Sequence, residues 1–234
     1  MIASILQPMG STAGPHALHA PDGFLSLPVA LVMWALTVAV LAVAVRRTNR
    51  SLSERAVPLL GVMAAFIFAA QLFNFQVVGG TSGHVLGGVL AAVLLGPWAG
   101  TLVMACVVSV QALLFQDGGL VVLGANIFNI GVVGTLGGYA LYRGLVRLLG
   151  GEARGRVPAA AGASWVAVLG GALAMALQLG ISGTVPIGVT LPAMLGVHAL
   201  IGIGEALVTA AALGFIAVTR ADLFELRDAG IAAA

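Results

Sequence analysis

Seven apolar stretches separated by polar or glycine-rich breaks dominate the sequence. A helix needs about 20 apolar residues to cross the hydrocarbon core of a bilayer, and within lipid only helices and closed barrels satisfy their backbone polar groups. The chain is 60% hydrophobic and only 8% charged, against about 25% charged residues in soluble domains, so an ordinary soluble protein is excluded. The pattern predicts an all-α membrane protein with seven transmembrane helices. The stretches are Leu27–Val45, Pro58–Phe75, Gly83–Leu95, Trp98–Phe115, Leu120–Tyr142, Ala161–Ile181 and Ala193–Val218.

All ten basic residues are arginines, and they follow the first, fifth and seventh stretches. Because arginine accumulates in cytoplasmic loops, this parity predicts an extracellular N-terminus and a cytoplasmic C-terminus. Clusters between apolar stretches are typical of topology signals, so we expect a lipid bilayer and no nucleic acid as partner. The arginines are Arg46, Arg47, Arg50, Arg55, Arg143, Arg147, Arg154, Arg156, Arg220 and Arg227.

The third stretch is too short to cross a bilayer as a straight helix. From Gly83 to Leu95 it would rise roughly 20 Å, against about 30 Å of hydrocarbon. Either the helix tilts through a thinned region, or the glycine-rich loop 79–83 dips below the outer surface. Irregular backbone at membrane depth lies against protein or water, so the second alternative predicts a pocket open to the outside.

The predicted topology places all four histidines at the outer end of the bundle. His16 and His19 precede the first stretch, His84 opens the third, and His198 begins the seventh. Neutral imidazole is a preferred ligand of late first-row metals, which suggests metal binding. Any one of these histidines could equally be a polar residue at the interface, because no HxxxH or CxxC motif is present.

Two carboxylates and several amides interrupt the apolar stretches. Asp117 lies in an outer turn, where it either caps a helix or belongs to a site. Glu205 follows His198 by two helical turns and is expected to have a structural or partner-facing role. The amides link helices by hydrogen bonds or, at Asn126 and Asn129, orient a ligand histidine. They are Asn74, Gln111, Asn126, Asn129 and Gln178.

Five sequence blocks, in order, resemble one family. The first block is His-Ala-Pro-Asp-Gly-Phe-Leu from His19, and the second is Gly-Thr-Ser-Gly-His, which ends at His84 and is followed by Gly87-Gly88 and by Leu-Gly-Pro-Trp-Ala-Gly from Leu95. The third is Gln-Ala-Leu-Leu-Phe-Gln-Asp-Gly-Gly from Gln111, and the fourth is Gly-Ala-Asn-Ile-Phe-Asn from Gly124. The fifth is His-Ala-Leu-Ile-Gly-Ile-Gly-Glu from His198. Together they resemble the substrate-capture membrane subunit of cobalt/nickel energy-coupling factor (ECF) transporters. The resemblance covers about residues 19–220.

The resemblance implies a seven-helix subunit with Co²⁺ or Ni²⁺ as its bound substrate and no organic cofactor. It implies nitrogen ligands: the imidazole and amide nitrogen of His19, the imidazole of His84, and the terminal amine, which belongs to Leu18 if the chain is processed there. Fused chelate rings of this kind suit square-planar Ni²⁺ and are accessible to Co²⁺. The candidates for orienting these ligands are Asn74, Ser82, Gln111, Asp117, Asn126 and His198.

The N-terminus departs from the family pattern, in which the histidine follows the initiator methionine. Here Leu18 and seventeen earlier residues precede His19. Three explanations stay open: translation starts at Leu18, residues 1–17 are a cleaved leader, or the extension remains and His16 replaces the amine. The predicted organisation is an N-terminal extension over 1–18, a seven-helix membrane domain over 19–220 and a short cytoplasmic tail over 221–234.

The expected function is the substrate-binding part of an ATP-driven importer in the cytoplasmic membrane, with cobalt for cobalamin synthesis as one use. The chain is not expected to be an enzyme, because it has no phosphate-binding loop and no lysine. Its expected partners are a transmembrane coupling subunit, cytosolic ATPases and a small accessory membrane subunit. Two alternatives are a stand-alone proton-coupled transporter using Glu205 and His198, and an intramembrane metal-dependent hydrolase using His84, His198 and Asp117. The residues do not distinguish cobalt from nickel.

Overall fold

The computed structural model of the protein describes residues 19–51, 57–72, 75–77 and 81–224. The predicted helical class is confirmed, with one addition: a short antiparallel ribbon that the sequence pattern did not predict. The helices are α1 (Leu27–Ser51), α2 (Val57–Leu72), α3 (Gly88–Leu95), α4 (Pro97–Leu114), α5 (Leu123–Asn126), α6 (Gly138–Leu148), α7 (Glu152–Ile181) and α8 (Ile187–Thr219). A π-helical segment, Ile127–Gly137, joins α5 to α6, and the ribbon pairs β1 (Phe75–Val77) with β2 (Thr81–Gly83).

Four helices in the described part of the chain are long and apolar enough to cross a membrane: α1, α4, α7 and α8. Helix α2 is apolar but has only 16 residues. Helix α5, the π-helical segment and α6 follow one another without a break. The protein is therefore an integral membrane protein, and the number of crossings and their orientation stay predictions.

The sequence pattern misplaced several helix ends. Helix α6 continues past Tyr142 to Leu148, α7 already begins at Glu152, and α8 begins at Ile187 instead of Ala193. Pro192, which was predicted to lie in a break, is inside α8. Apolar windows report the part of a helix that faces hydrocarbon, whereas backbone hydrogen bonds extend the helix into the polar zone. A proline removes one donor, and membrane helices tolerate this where neighbouring groups satisfy the freed backbone.

The third predicted span is much shorter than expected, because its first residues are not helical. Helix α3 covers only Gly88–Leu95, and residues 84–87 form a loop between β2 and α3. Gly87 has a φ of +79°, a left-handed conformation that interrupts the helix. A Cβ on Gly88 would lie 2.9 Å from the backbone of Gly134, so the two glycines let α3 pack closely on the π-helical segment. The third stretch is therefore not one continuous helix, and residues 79–80 of the predicted loop lie outside the described residues.

Two apolar clusters support the loops that carry the histidines. The larger surrounds the buried helix α3 and includes Leu94, Met104 and Tyr142. The smaller includes Leu25, Met33 and Val122, and it lies beneath the segment that precedes α1. The loop from His19 and the loop from His84 are therefore both mounted on packed helices.

Candidate metal site

His19 and His84 come together in the structure. Their ring centres lie 5.2 Å apart with the planes at 81°, and the two residues are only 5% and 7% exposed. Imidazoles that share one ion through metal–nitrogen bonds of about 2.0–2.1 Å have ring centres roughly 4.5–6.5 Å apart. The observed spacing therefore suits two ligands of the same ion.

Hydrogen bonds set the tautomer of both rings. Nδ1 of His84 lies 2.8 Å from the carbonyl oxygen of Val85, and Nδ1 of His19 lies 3.3 Å from the carbonyl oxygen of Asp117. A carbonyl oxygen only accepts, so both protons are assigned to Nδ1 and both Nε2 atoms carry a lone pair. Nε2 of His19 is buried without a hydrogen-bond partner among the described residues. A buried polar atom without a partner requires an explanation, and a metal ion bound nearby is one.

Burial keeps both imidazoles neutral. It lowers the pKa of His19, although the Asp117 carboxylate opposes this shift. Burial, together with the neighbouring His19, lowers the pKa of His84 to about 4. Neutral imidazole is the form that binds metal ions, so no imidazole proton has to leave at neutral pH.

Asp117 contacts two nitrogen atoms of His19. Its Oδ1 accepts a 3.1 Å hydrogen bond from the His19 backbone N–H, and its Oδ2 lies 3.5 Å from Nδ1. The backbone nitrogen and Nδ1 consequently face the same carboxylate. A histidine that chelates an ion through these two atoms adopts this conformation, with its ring proton on Nε2 instead of Nδ1. In the metal-free structure the Asp117 carboxylate occupies this side of His19.

The segment after His19 docks on the turn before α5. Asn126 accepts from the Ala20 N–H (3.2 Å) and donates to the Ala20 carbonyl (3.0 Å), while the Gly119 N–H donates to the same carbonyl (2.9 Å). The Asp22 carboxylate accepts from the N–H groups of residues 120–122. Space for this pairing exists because Gly119 has no side chain: a Cβ there would lie 2.2 Å from the Asp22 nitrogen. The first, third and fourth sequence blocks thus form one docked unit.

Helices α2 and α8 hold the loop that carries His84. The Glu205 carboxylate accepts from the N–H groups of Leu86 (2.6 Å) and Gly87 (2.8 Å), and Gln71 donates to the Leu86 carbonyl (2.7 Å). Glu205 is 2% exposed, and both its oxygens are engaged at the start of α3. Of the two roles expected for Glu205, the structural one is confirmed. Sequence reasoning missed Gln71, whose only signal was a lone amide in an apolar helix.

The remaining candidates lie around the site or elsewhere. His198 donates from Nδ1 to the Met194 carbonyl of its own helix (2.8 Å), and Gln111 bonds to Gln71 (2.9 Å). In the described part of the chain neither side chain is hydrogen-bonded to His19 or His84. Asn129 pairs with Gln178 at 2.9 and 2.7 Å and links helices, as expected for membrane amides. The residues that lie outside the described part of the chain are His16, Leu18, Asn74 and the side chain of Ser82.

Among the described residues, no three His, Cys, Asp or Glu side chains are grouped closely enough to hold a metal ion. His84, His198 and Asp117, the residues of the hydrolase alternative, do not form such a group. A four-coordinate site around His19 and His84 therefore needs ligands of other kinds, such as backbone nitrogen atoms.

Comparison with known proteins connects this site to a family. The family model described as "Cobalt uptake substrate-specific transmembrane region" matches residues 19–223. The chain belongs to this family. The match begins at His19, the first residue of the docked unit, and extends beyond the end of α8 at Thr219.

Three relatives illustrate the family. A protein of Haloquadratum walsbyi, provisionally named a metal transport protein, is 44% identical over 88% of this chain and 93% of its own length. The fused nickel transport protein NikMN of Rhodobacter capsulatus is 34% identical over 91% of this chain and 65% of its own length. The crystal structure of a truncated transition metal transporter superimposes with a TM-score of 0.77 at 34% identity, covering 85% of this chain and 97% of that one.

Proposed function

We propose that this protein captures Co²⁺ or Ni²⁺ at the outer face of the cytoplasmic membrane as the substrate-binding subunit of an ATP-driven ECF-type importer. The observation that carries the proposal is the pair of buried imidazoles, His19 and His84, with ring centres 5.2 Å apart. The family description, which names cobalt, and the Rhodobacter capsulatus relative, which is named for nickel transport, support the choice of ion. Both metals accept nitrogen ligands, so the donor type leaves either as cargo.

The proposed ligands are the imidazoles of His19 and His84, the backbone nitrogen of His19 and a free amine at position 18. The orientation of His19 supports this set, because its backbone nitrogen and Nδ1 both face Asp117. On loading, the ion takes the side of His19 that the Asp117 carboxylate contacts. If the N-terminal extension is retained, His16 replaces the amine.

Seven crossings with the N-terminus outside complete the proposal. The arginine parity supports this orientation, since Arg147 lies in the last turn of α6 and Arg154 in the first turn of α7, on the side that the parity predicts to be cytoplasmic. The chain has no nucleotide-binding motif, so ATP hydrolysis belongs to cytosolic partners. A transmembrane coupling subunit and a small accessory membrane subunit transmit that energy.

Metal titration of the purified protein tests the proposed site. Calorimetric titration with Co²⁺ and Ni²⁺ compares the wild type with His19→Ala, His84→Ala and the matched control His198→Ala. We expect the first two substitutions to abolish measurable binding and the third to leave a measurable site. Equal affinity in the wild type, His19→Ala and His84→Ala would reject the ligand assignment.

Transport in vesicles tests the energy source. Proteoliposomes that contain this chain together with its coupling and ATPase subunits are expected to take up ⁵⁷Co²⁺ only with ATP inside the compartment that holds the ATPases. Vesicles that contain this chain alone serve as the control. Uptake by those vesicles in response to a proton gradient would contradict the proposal and favour a stand-alone transporter.

A further inference from the structure

A continuous series of hydrogen bonds connects the His19 loop to the His84 loop through two buried glutamines. We propose that Gln71 and Gln111 are positioning residues that hold the two loops in register in the metal-free protein, so that the imidazoles already have the spacing one ion needs before it binds. This inference rests on the proposed metal site. It assigns a function to Gln71, which is not among the proposed ligands and bonds to Leu86 and Gln111.

The first half of the series runs from His19 to Gln111. The His19 N–H donates to Asp117 Oδ1, and the Asp117 N–H donates to the backbone carbonyl of Gln111 at 3.1 Å. Gln116, between them, has a φ of +56° and is the only described non-glycine residue with positive φ. This left-handed residue lets the chain turn back after α4, so that Asp117 bonds to the last turn of the helix. The Asp117 backbone is thereby fixed to the backbone of α4 at Gln111, and the Gln111 side chain continues the series.

The second half runs from Gln111 to the residue two positions after His84. Gln111 Nε2 donates to Gln71 Oε1 at 2.9 Å, and Gln71 Nε2 donates to the Leu86 carbonyl at 2.7 Å. Glu205 holds the N–H of the same Leu86. Both polar groups of the Leu86 backbone are therefore held by side chains from different helices, which restricts how far His84 can shift.

The burial of these amides separates a positioning role from simple helix linking. Gln71 and Gln111 are 0% and 1% exposed, and a buried amide costs stability unless it is bonded. Oε1 of Gln111 is buried without a partner among the described residues. The bond from Gln111 to Gln71 therefore offsets only part of the free energy lost by burying the Gln111 amide. Asn129 and Gln178, in contrast, donate to each other, and these two bonds join helical segments instead of reaching a loop. The glutamine series instead ends on the backbone beside His84.

The Asn129–Gln178 pair provides a matched control. Gln71→Met, Gln111→Met, the double variant and Gln178→Met each remove a buried amide and keep a side chain of similar length. We expect each of the first two to weaken Co²⁺ binding about tenfold, the usual scale for residues that orient metal ligands. We expect the double variant to bind no more weakly than the weaker single variant, because both changes interrupt one series. The visible spectrum of saturated Co²⁺ should stay unchanged, since the donor atoms remain.

Gln178→Met is expected to lower the melting temperature but to leave Co²⁺ affinity at the wild-type value. Equal affinity in Gln178→Met, Gln71→Met and Gln111→Met would overturn the proposal, and so would additive losses in the double variant. Gln71→Asn, which keeps an amide but is too short to span both partners, replaces Gln71→Met if that variant does not fold. Failure of the metal site itself is distinguishable, because it would show as unchanged binding in His84→Ala.

Discussion

The imidazole rings of His19 and His84 meet edge to face with centres 5.2 Å apart, although two helices and a ribbon separate them along the chain. Neither ring is placed by its own helix. His19 depends on the turn before α5, and His84 depends on side chains from α2 and α8. The affinity of the proposed site should therefore respond to substitutions that move either loop without touching a ligand.

Gly119→Ala should weaken metal binding because the new Cβ would meet the Asp22 backbone nitrogen at 2.2 Å. The His19 segment would have to move off the turn, at a cost of roughly 1–3 kcal/mol typical of overpacking. Co²⁺ titration and thermal unfolding measure the two effects. Gly144→Ala is the control, since a Cβ there meets nothing within 4 Å. Wild-type affinity in Gly119→Ala would show that the docking is not needed.

Glu205→Ala should be more damaging than Glu205→Gln. Alanine leaves the buried N–H groups of Leu86 and Gly87 without their acceptor, and each unsatisfied group costs about 1–3 kcal/mol. Glutamine keeps one acceptor oxygen and should retain part of the Co²⁺ affinity. Titration of both purified variants tests the order. An intact affinity in both variants would mean that the His84 loop holds its place without α8.

Acidification should destabilise the protein through His84. In the unfolded chain His84 takes up a proton near pH 6.5, whereas in the folded protein its pKa is about 4. The free energy of unfolding therefore has its full value above pH 6.5 and falls towards pH 4, by at most about 1.4 kcal/mol per pH unit for this group. Denaturant midpoints at pH 7.5 and 5.0 measure the change. His84→Gln should show a smaller pH dependence, and an equal one would contradict the assignment.

Metal-free His84 should not titrate between pH 8 and 5.5, because burial lowers its pKa to about 4. Burial also lowers the pKa of His19, so its midpoint should lie below the ordinary value of about 6.5. Both imidazoles are therefore neutral and protonated at Nδ1 at neutral pH. Nitrogen-15 spectra of histidine-labelled protein report the tautomer and the charge directly. A midpoint near 6.5 for either ring would contradict the described burial. If the prediction holds, protons released on Co²⁺ binding at pH 7 come from backbone nitrogen and not from imidazole.

The N-terminus of the mature protein should begin at position 18. A free amine there places the third nitrogen next to His19, and intact-mass analysis of protein purified from its own membranes measures the start. A chain that begins at Met1 would contradict processing. In that case His16→Ala should weaken Co²⁺ binding, whereas with processing the same substitution is without effect.

The position of the helices was largely readable from the sequence, and the position of the ligand-holding groups was not. Apolar stretches identified the helical membrane class because the cost of exposing polar backbone to lipid is local and large. They misplaced the ends at Glu152 and Ile187, because a helix does not stop where its hydrophobicity stops. The pairing of His19 with His84 was predicted from sequence blocks rather than from geometry, and the structure places the two rings in contact.

The sequence by itself determined that the chain lies in a membrane, since this follows from composition along single segments. Only the tertiary structure decided that Gln71 and Glu205 hold the Leu86 backbone and that Asp117 faces two nitrogen atoms of His19. Those contacts join helices distant along the chain. A buried amide in an apolar stretch has many available partners, and the packing of α2, α4 and α8 around the short helix α3 selects among them.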